Sequence, residues 1–128
     1  MAYGLLNGYS MSDVTTATLK SLLDGCATRQ TVLANNVANA NTAGFTRSDV
    51  SFKDAMAQAL TSKNPEQSMQ QVHATIHEDT KTARRGDGNN VSLQKELGMM
   101  AENRLLYDLS AQALAVQYAR TRSAIRGQ

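Results

Sequence analysis

Residues 92–126 read SLQKELGMMAENRLLYDLSAQALAVQYARTRSAIR, and their spacing decides the fold class. Leu93, Leu97, Met100, Arg104, Tyr107, Ala111, Leu114, Tyr118, Thr121 and Ile125 follow one another at steps of four and three in strict alternation. All but Arg104 and Thr121 are apolar or aromatic. This is the heptad pattern of a coiled-coil seam. A helix of this length reaches about 50 Å at 1.5 Å per residue. Ser92 is placed to cap it, and Glu96 suits the positive end of its dipole. Arg120, Arg122 and Arg126 fall in the last turns, where cations complement the dipole, and Gly127 is a natural stop.

Residues 12–41 repeat the pattern. Leu19, Leu23, Cys26, Gln30, Leu33, Val37 and Ala40 again alternate steps of four and three, and only Gln30 interrupts the apolar stripe. Ser12 or Asp13 can cap the start. Thr15, Thr16, Thr18 and Gly25 are weak helix formers, so packing must hold this helix more than propensity does. Two such seams predict a mainly α chain. Its long N- and C-terminal helices pair as an antiparallel coiled coil within one unit spanning 1–128.

The middle, residues 42–91, has a different texture. Thr42-Ala43-Gly44-Phe45 reads as a turn with Gly44 free to take positive φ. FKDAMAQAL, Phe52 to Leu60, offers two helical turns. Thr61 to Gln71 holds the single Pro, Pro65, and reads as a loop. Val72, Ala74 and Ile76 alternate with polar residues as a short strand would. Thr80 to Asn90 has no periodicity. The span is therefore expected to be extended and loop-rich, with room for a short helix or β segment. It is expected to need something outside the subunit to order it.

Composition agrees with a thin interior. Among 128 residues, 41% are hydrophobic but only 5% aromatic, with no Trp and a single Cys. One thiol cannot make an internal disulfide framework. No apolar run approaches the roughly 18–20 residues that span a bilayer. The net charge of +2 is no nucleic-acid footprint. MAYGLLNGYSMSDV lacks a basic segment followed by an apolar one, so no cleaved signal peptide is expected.

Chemical motifs are sparse. His73 and His77 are four apart, a spacing that on a helix could serve one metal, but the local alternation favours a strand and no third His or Cys is near. Cys26 lies on a helix seam and reads as a small buried hydrophobe. Arg84-Arg85 could meet a phosphate or carboxylate, and reads more simply as solvated surface. Gly86-Asp87-Gly88 lacks the spaced acidic ligands of a calcium loop. No phosphate loop, nucleophile elbow or paired carboxylate is present, so the chain reads as non-enzymatic, without cofactor, metal or small-molecule ligand. The run Leu33-Ala34-Asn35-Asn36-Val37-Ala38-Asn39-Ala40-Asn41 is unusual, because Asn competes for helix backbone hydrogen bonds. Such amides are retained when paired, and an interface with neighbouring backbones is the expectation.

These residues carry a resemblance. Leu33, Asn36, Ala38, Asn39, Asn41, Thr42, Gly44 and Phe45 resemble the N-terminal signature of the bacterial flagellar rod and hook proteins. Arg29, Gln30, Arg47, Asp49, Val50 and Phe52 around it are similar to the proximal-rod branch of that family. So is the block from Asp87 to Glu96, which contains Asn89, Asn90 and Val91, with Met100 to Asn103 and Tyr107 beyond it. One departure is Ala43, where the family usually has Pro.

The resemblance implies a structural subunit of the proximal rod of the flagellar basal body. Such a subunit helps connect the membrane ring to the drive shaft and transmits motor torque. Implied partners are copies of itself, other rod proteins, the rod adaptor FliE, the membrane (MS) ring and the type III export gate. The implied location is the rod in the periplasmic space, reached by type III export without signal cleavage. The alternative is a freestanding coiled-coil adaptor or regulator, which would form a closed oligomer rather than a filament. A nucleic-acid-binding helical protein using Arg120, Arg122 and Arg126 is disfavoured by the near-neutral charge.

Overall fold

A computed structural model describes residues 5, 6 and 9–127. Residues 1–4, 7, 8 and 128 lie outside it, and with them part of the stretch read for an export signal. A two-residue strand, β1 (Leu5–Leu6), pairs antiparallel with β2 (Tyr9–Ser10), which leads directly into α1 (Met11–Ala38). Ser10 is the N-cap, its hydroxyl accepting from the Ser12 N–H at 3.2 Å. Ser10, rather than Ser12 or Asp13, therefore satisfies the first donors. The helix ends at Ala38, and residues 39–41 already belong to the turn. Next come β3 (Ser48–Ser51), α2 (Lys53–Leu60), α3 (Pro65–Gln70), β4 (Thr75–Glu78) and α4 (Leu93–Ile125). Ser92 caps α4, and Gly127 stops it at φ 73°. The chain is mainly helical, with small two-stranded sheets and no helix long and apolar enough to cross a membrane among the described residues.

The middle segment corrects two expectations. It is ordered by its own chain, because its apolar residues complete a core on α1. Val50, Phe52, Met56, Ala59 and Met69 cluster with Ala17, Cys26 and Val32, and Leu22, Val72, Ala74 and Leu106 pack at the margin. Phe52, Met56 and Ala59 lie at i, i+4 and i+7, so α2 turns one apolar face inward. The Phe52 ring lies on Gly25, where an added Cβ would sit 2.6 Å from the ring. The glycine that weakens α1 locally is thus what admits the aromatic side chain.

Residues 61–71, expected to be a loop, contain α3. Pro65 occupies its first turn, where a missing N–H has no partner to lose, and Met69 is fully buried beneath it. The expected strand at 72–76 forms slightly later, at Thr75–Glu78, antiparallel to β3 with Ile76 opposite Val50. Val72 and Ala74 stay on the core as the approach to the strand, while Ile76 is exposed.

α1 and α4 run antiparallel. Ser12 lies beside Gln117, Gln30 beside Asn103, and Asn36 beside Glu96. The face of α4 turned toward α1 is not the expected apolar seam. Its buried residues are Glu96, Asn103 and Ser110, seven apart, continued by half-buried Gln117. Leu97, Arg104, Ala111 and Tyr118 each follow one of these by a single residue, about 100° around the helix. Leu93, Leu97, Tyr107, Tyr118 and Ile125 are consequently exposed, and Met100 and Leu114 half-buried. The α1 seam does turn inward: Cys26 and Leu33 are fully buried, Ala40 is buried, and Leu19, Leu23 and Val37 are half-buried. Two heptads of different chemistry coexist on α4, and the polar one finds partners on α1.

Candidate assembly site

The two motif blocks, distant in sequence, form one polar knot. It joins the end of α1, the turn after it, the loop before α4 and the first turn of α4. Asn36 is fully buried and works as a peptide group in side-chain form. Its amide donates to the Ser48 carbonyl at 2.7 Å and its oxygen accepts from the Ser48 N–H at 3.0 Å. The same amide also donates to Glu96 Oε2 at 3.0 Å. Asn89, equally buried, closes the end of α1. Its amide donates to the carbonyls of Asn39 at 2.9 Å and Thr42 at 2.8 Å, while its oxygen accepts from the Val91 N–H at 2.7 Å. Helix-end carbonyls have no partner within the helix, so Asn89 supplies what α1 cannot. Asn90 accepts from the Arg47 N–H at 2.7 Å and donates to the Asp79 carbonyl at 2.7 Å.

Arg47 is the charged centre. It is buried, and its guanidinium binds Glu96, Asp79 and Asp49. Arg29 from α1 completes the group with a two-pronged contact to Asp49 at 2.9 and 3.2 Å. Burial alone would favour the neutral form of Arg47, but its hydrogen bonds to Glu96 and Asp79 outweigh it and fix the positive charge. Burial likewise opposes ionisation of Asp49, and the Arg29 hydrogen bond overrides it, so its pKa is lowered. Asp79 is held well below the usual carboxylate range by its bonds from Thr82, then by Arg47 and the Lys81 N–H.

The turn forms as read. Gly44 has φ 73°, and the Phe45 N–H closes the turn on the Thr42 carbonyl at 3.2 Å. Gly88 faces it at φ 82°, and a Cβ on Gly88 would meet the Gly44 Cα at 3.3 Å. The Gly44 N–H reaches the Asp87 carbonyl at 2.8 Å, so the two glycines let the two blocks touch. Of the remaining motif residues, Val91 is buried, Phe45 half-buried, and Ala38, Asn41 and Thr42 exposed. Asn39 bonds within its own helix end, to the Asn35 carbonyl at 2.9 Å.

Several sequence readings change here. In the 33–41 run, Asn36 bonds the Ser48 backbone and Asn39 the Asn35 carbonyl, both of their own chain rather than a neighbour's. The Arg84-Arg85 pair is structural: Arg84 donates to the Gly88 carbonyl and to Thr46 Oγ1, and Arg85 to the carbonyls of Val91 and Ala40. His73 and His77 are exposed, His77 lying on β4, and no group of three metal-capable side chains occurs among the described residues. Cys26 is completely buried, and that burial pushes its thiol pKa up, away from reactivity. Asp79 gave no hint of its partner Arg47, and Arg85 read only as solvated surface. Glu96 read only as a dipole partner, although the polar heptad Glu96, Asn103, Ser110, Gln117 was there to be counted.

Outside the knot, the outer surface of α4 carries large exposed apolar side chains among polar ones. Leu97, Tyr107, Tyr118 and Ile125 run along its flank, and Leu105, Leu109 and Val116 along the side away from α1. Leu105 is 61% exposed and Ile125 81%. A shallow apolar-lined groove of about 300 Å³ lies between the helices beside Cys26, Asn103 and Tyr107. The chain's surface of 8316 Å² exceeds the roughly 6,600 Å² of a globular protein of its mass. The excess is that of an elongated molecule with helix faces left open.

The family model for the flagella basal body rod protein matches residues 26–46, the α1 end and turn of the knot. The flagellar basal body rod protein FlgB of Escherichia coli (strain K12) is 30% identical over 107 residues, covering 71% of this chain and 78% of that protein. The chain belongs to the FlgB family. The FlgB of Aeromonas hydrophila is 28% identical over 117 residues, covering 78% of this chain and 83% of the relative. That of Borrelia hermsii is 27% identical over 104 residues, covering 68% and 77%. As a FlgB-family member the chain is a structural component of the flagellar basal body rod, and it associates with other rod components in a motility organelle.

Proposed function

We propose that this chain is a structural subunit of the proximal rod, helping to connect the membrane ring to the drive shaft and to transmit motor torque. The observation that carries this reading is the apolar surface of α4, left open on two sides of a helix about 50 Å long. Soluble monomers seldom leave so many large apolar side chains uncovered without a partner. Two different open faces on one subunit favour heterologous contacts, which build helical assemblies when they do not close into a ring. The knot suits a part that carries torque, because it ties one end of the helix pair, the C-terminus of α1 and the N-terminus of α4, to the central strands through directional bonds.

The exposed seam residues Leu93, Leu97, Tyr107, Tyr118 and Ile125 are the proposed subunit contacts, together with exposed Ala38, Asn41, Thr42 and Gly44 of the turn. Partners are other copies of the chain, other rod proteins, the adaptor FliE, the MS ring and the export gate. The site of action is the periplasmic rod, reached by type III export without signal cleavage. The role is purely structural, with no catalysis. Deletion of the gene followed by electron microscopy of isolated basal bodies tests this. The expected result is an intact membrane ring with no rod. Complete rods in the deletion strain would overturn it.

A further inference from the structure

Gln30 is the one polar residue in the α1 seam, and the structure gives it a counterpart. Asn103 is 3% exposed, and its amide donates to the Gln30 Oε1 and to the Cys26 carbonyl, both at 2.8 Å. The pair sits midway along the contact between the two helices, two turns beyond the Glu96 anchor.

We propose that the Gln30–Asn103 pair specifies the register and facing of α4 on α1 rather than adding to their stability. The α1 seam repeats every seven residues as Leu19, Cys26, Leu33 and as Leu23, Gln30, Val37. Along that seam, moving α4 by one heptad, about 10 Å, exchanges apolar residues for apolar residues except at Gln30. Packing alone discriminates poorly between such positions, whereas Asn103 would face Leu23 or Val37 and lose its amide partner. Rotating α4 by one residue would instead turn the Leu97, Tyr107 and Tyr118 flank inward and carry Asn103 away from the Cys26 carbonyl. The other cross-helix ties lie elsewhere. They lie at the two ends of the contact, Glu96 with Asn36 at the knot and half-buried Gln117 with Ser12 at the far end, and leave its middle to Asn103. Ser110 donates to the Leu106 carbonyl of its own helix and contributes only close approach. The short arm of Asn103, bonded to a backbone carbonyl, cannot follow such movements. Single buried amides in helix pairs act in this way elsewhere, fixing register at a cost in stability.

The test replaces both amides, Gln30→Leu with Asn103→Leu, so that neither is orphaned, and compares the full chain by thermal melt and by ¹H–¹⁵N NMR. The parent is expected to give one set of amide resonances. The double variant is expected to melt at the same temperature or higher, yet to show doubled or exchange-broadened resonances along α4. One sharp set from the double variant, at whatever melting temperature, would overturn the proposal. So would a variant that fails to fold, since the pair would then hold the fold rather than choose its register. A parent with several sets of resonances would also contradict it.

Discussion

α1 meets the rest of the chain in two opposite ways. Against β3, α2 and α3 it buries apolar side chains, with Phe52 on Gly25 and Met69 beneath Ala17 and Cys26 in one cluster. Against α4 it presents hydrogen-bond partners to Glu96, Asn103 and Gln117, while Leu97, Leu105, Leu109, Tyr107 and Tyr118 of α4 stay exposed. The first contact has the character of a protein interior. The second has the character of an oriented joint, in which direction matters more than burial. α4 is thus held by the body in a defined pose, with much of its apolar surface outside that contact.

Substitutions on either side of that divide should behave differently. Phe52→Ala opens a cavity in the body and is expected to cost about 3–5 kcal/mol by urea denaturation. A change under 1 kcal/mol would mean the body is not the folding core. Glu96→Ala leaves buried Arg47 without its nearest carboxylate, and about 3 kcal/mol is expected by the same measurement. Its effect should concentrate in α4, read as faster amide exchange there than in α2 and α3. Asn89→Ala uncaps the end of α1 and should cost about 1–3 kcal/mol, because the carbonyls it serves are left buried or poorly solvated.

Acid should attack the charged knot before the apolar core. Asp49 and Asp79 have lowered pKa values in the folded chain, so the stability they contribute is present above their ordinary value of 3.8 and is lost as pH falls through their folded values. Stability against urea is thus expected to hold between pH 5 and 7 and to decline below about pH 4. In an Asp79→Asn variant the decline should be shallower, and an unchanged slope would remove Asp79 from the account. The smallest effect is expected from Ala43→Pro. This substitution restores the residue usual in the family at the second position of the turn and should stabilise by about 0.4–1 kcal/mol if the turn is as rigid as the knot implies.

Much of the architecture was legible in residues 12–41 and 92–126. Their heptad periodicity, Ser92 as a cap, and Gly44 and Gly127 at positive φ all follow from local chemistry. The α4 interface was not legible in the same way. Periodicity shows that Leu97, Tyr107 and Tyr118 share a face, but not whether that face meets α1 or solvent. The middle segment misled for a related reason. Phe52, Met56 and Met69 are few and separated by polar residues, and only the fold brings them against Gly25 and Cys26. Pro65 signalled a loop because a helix-opening proline and a loop proline look alike until the turn after it is seen. The knot was half legible: its residues stood out as a motif, but nothing in the sequence said that Asn89 reaches the end of α1 or that Arg47 reaches Glu96.

The central claim is that the apolar flank of α4 serves assembly and not the fold. It is tested most directly by imaging basal bodies from cells whose only copy of the chain carries Leu97→Ser, Leu105→Ser and Leu109→Ser, with the purified variant melted in parallel. The account predicts a melting temperature close to the parent's, since exposed sites contribute little to stability, and basal bodies that lack the rod. Complete rods built from the variant would contradict it.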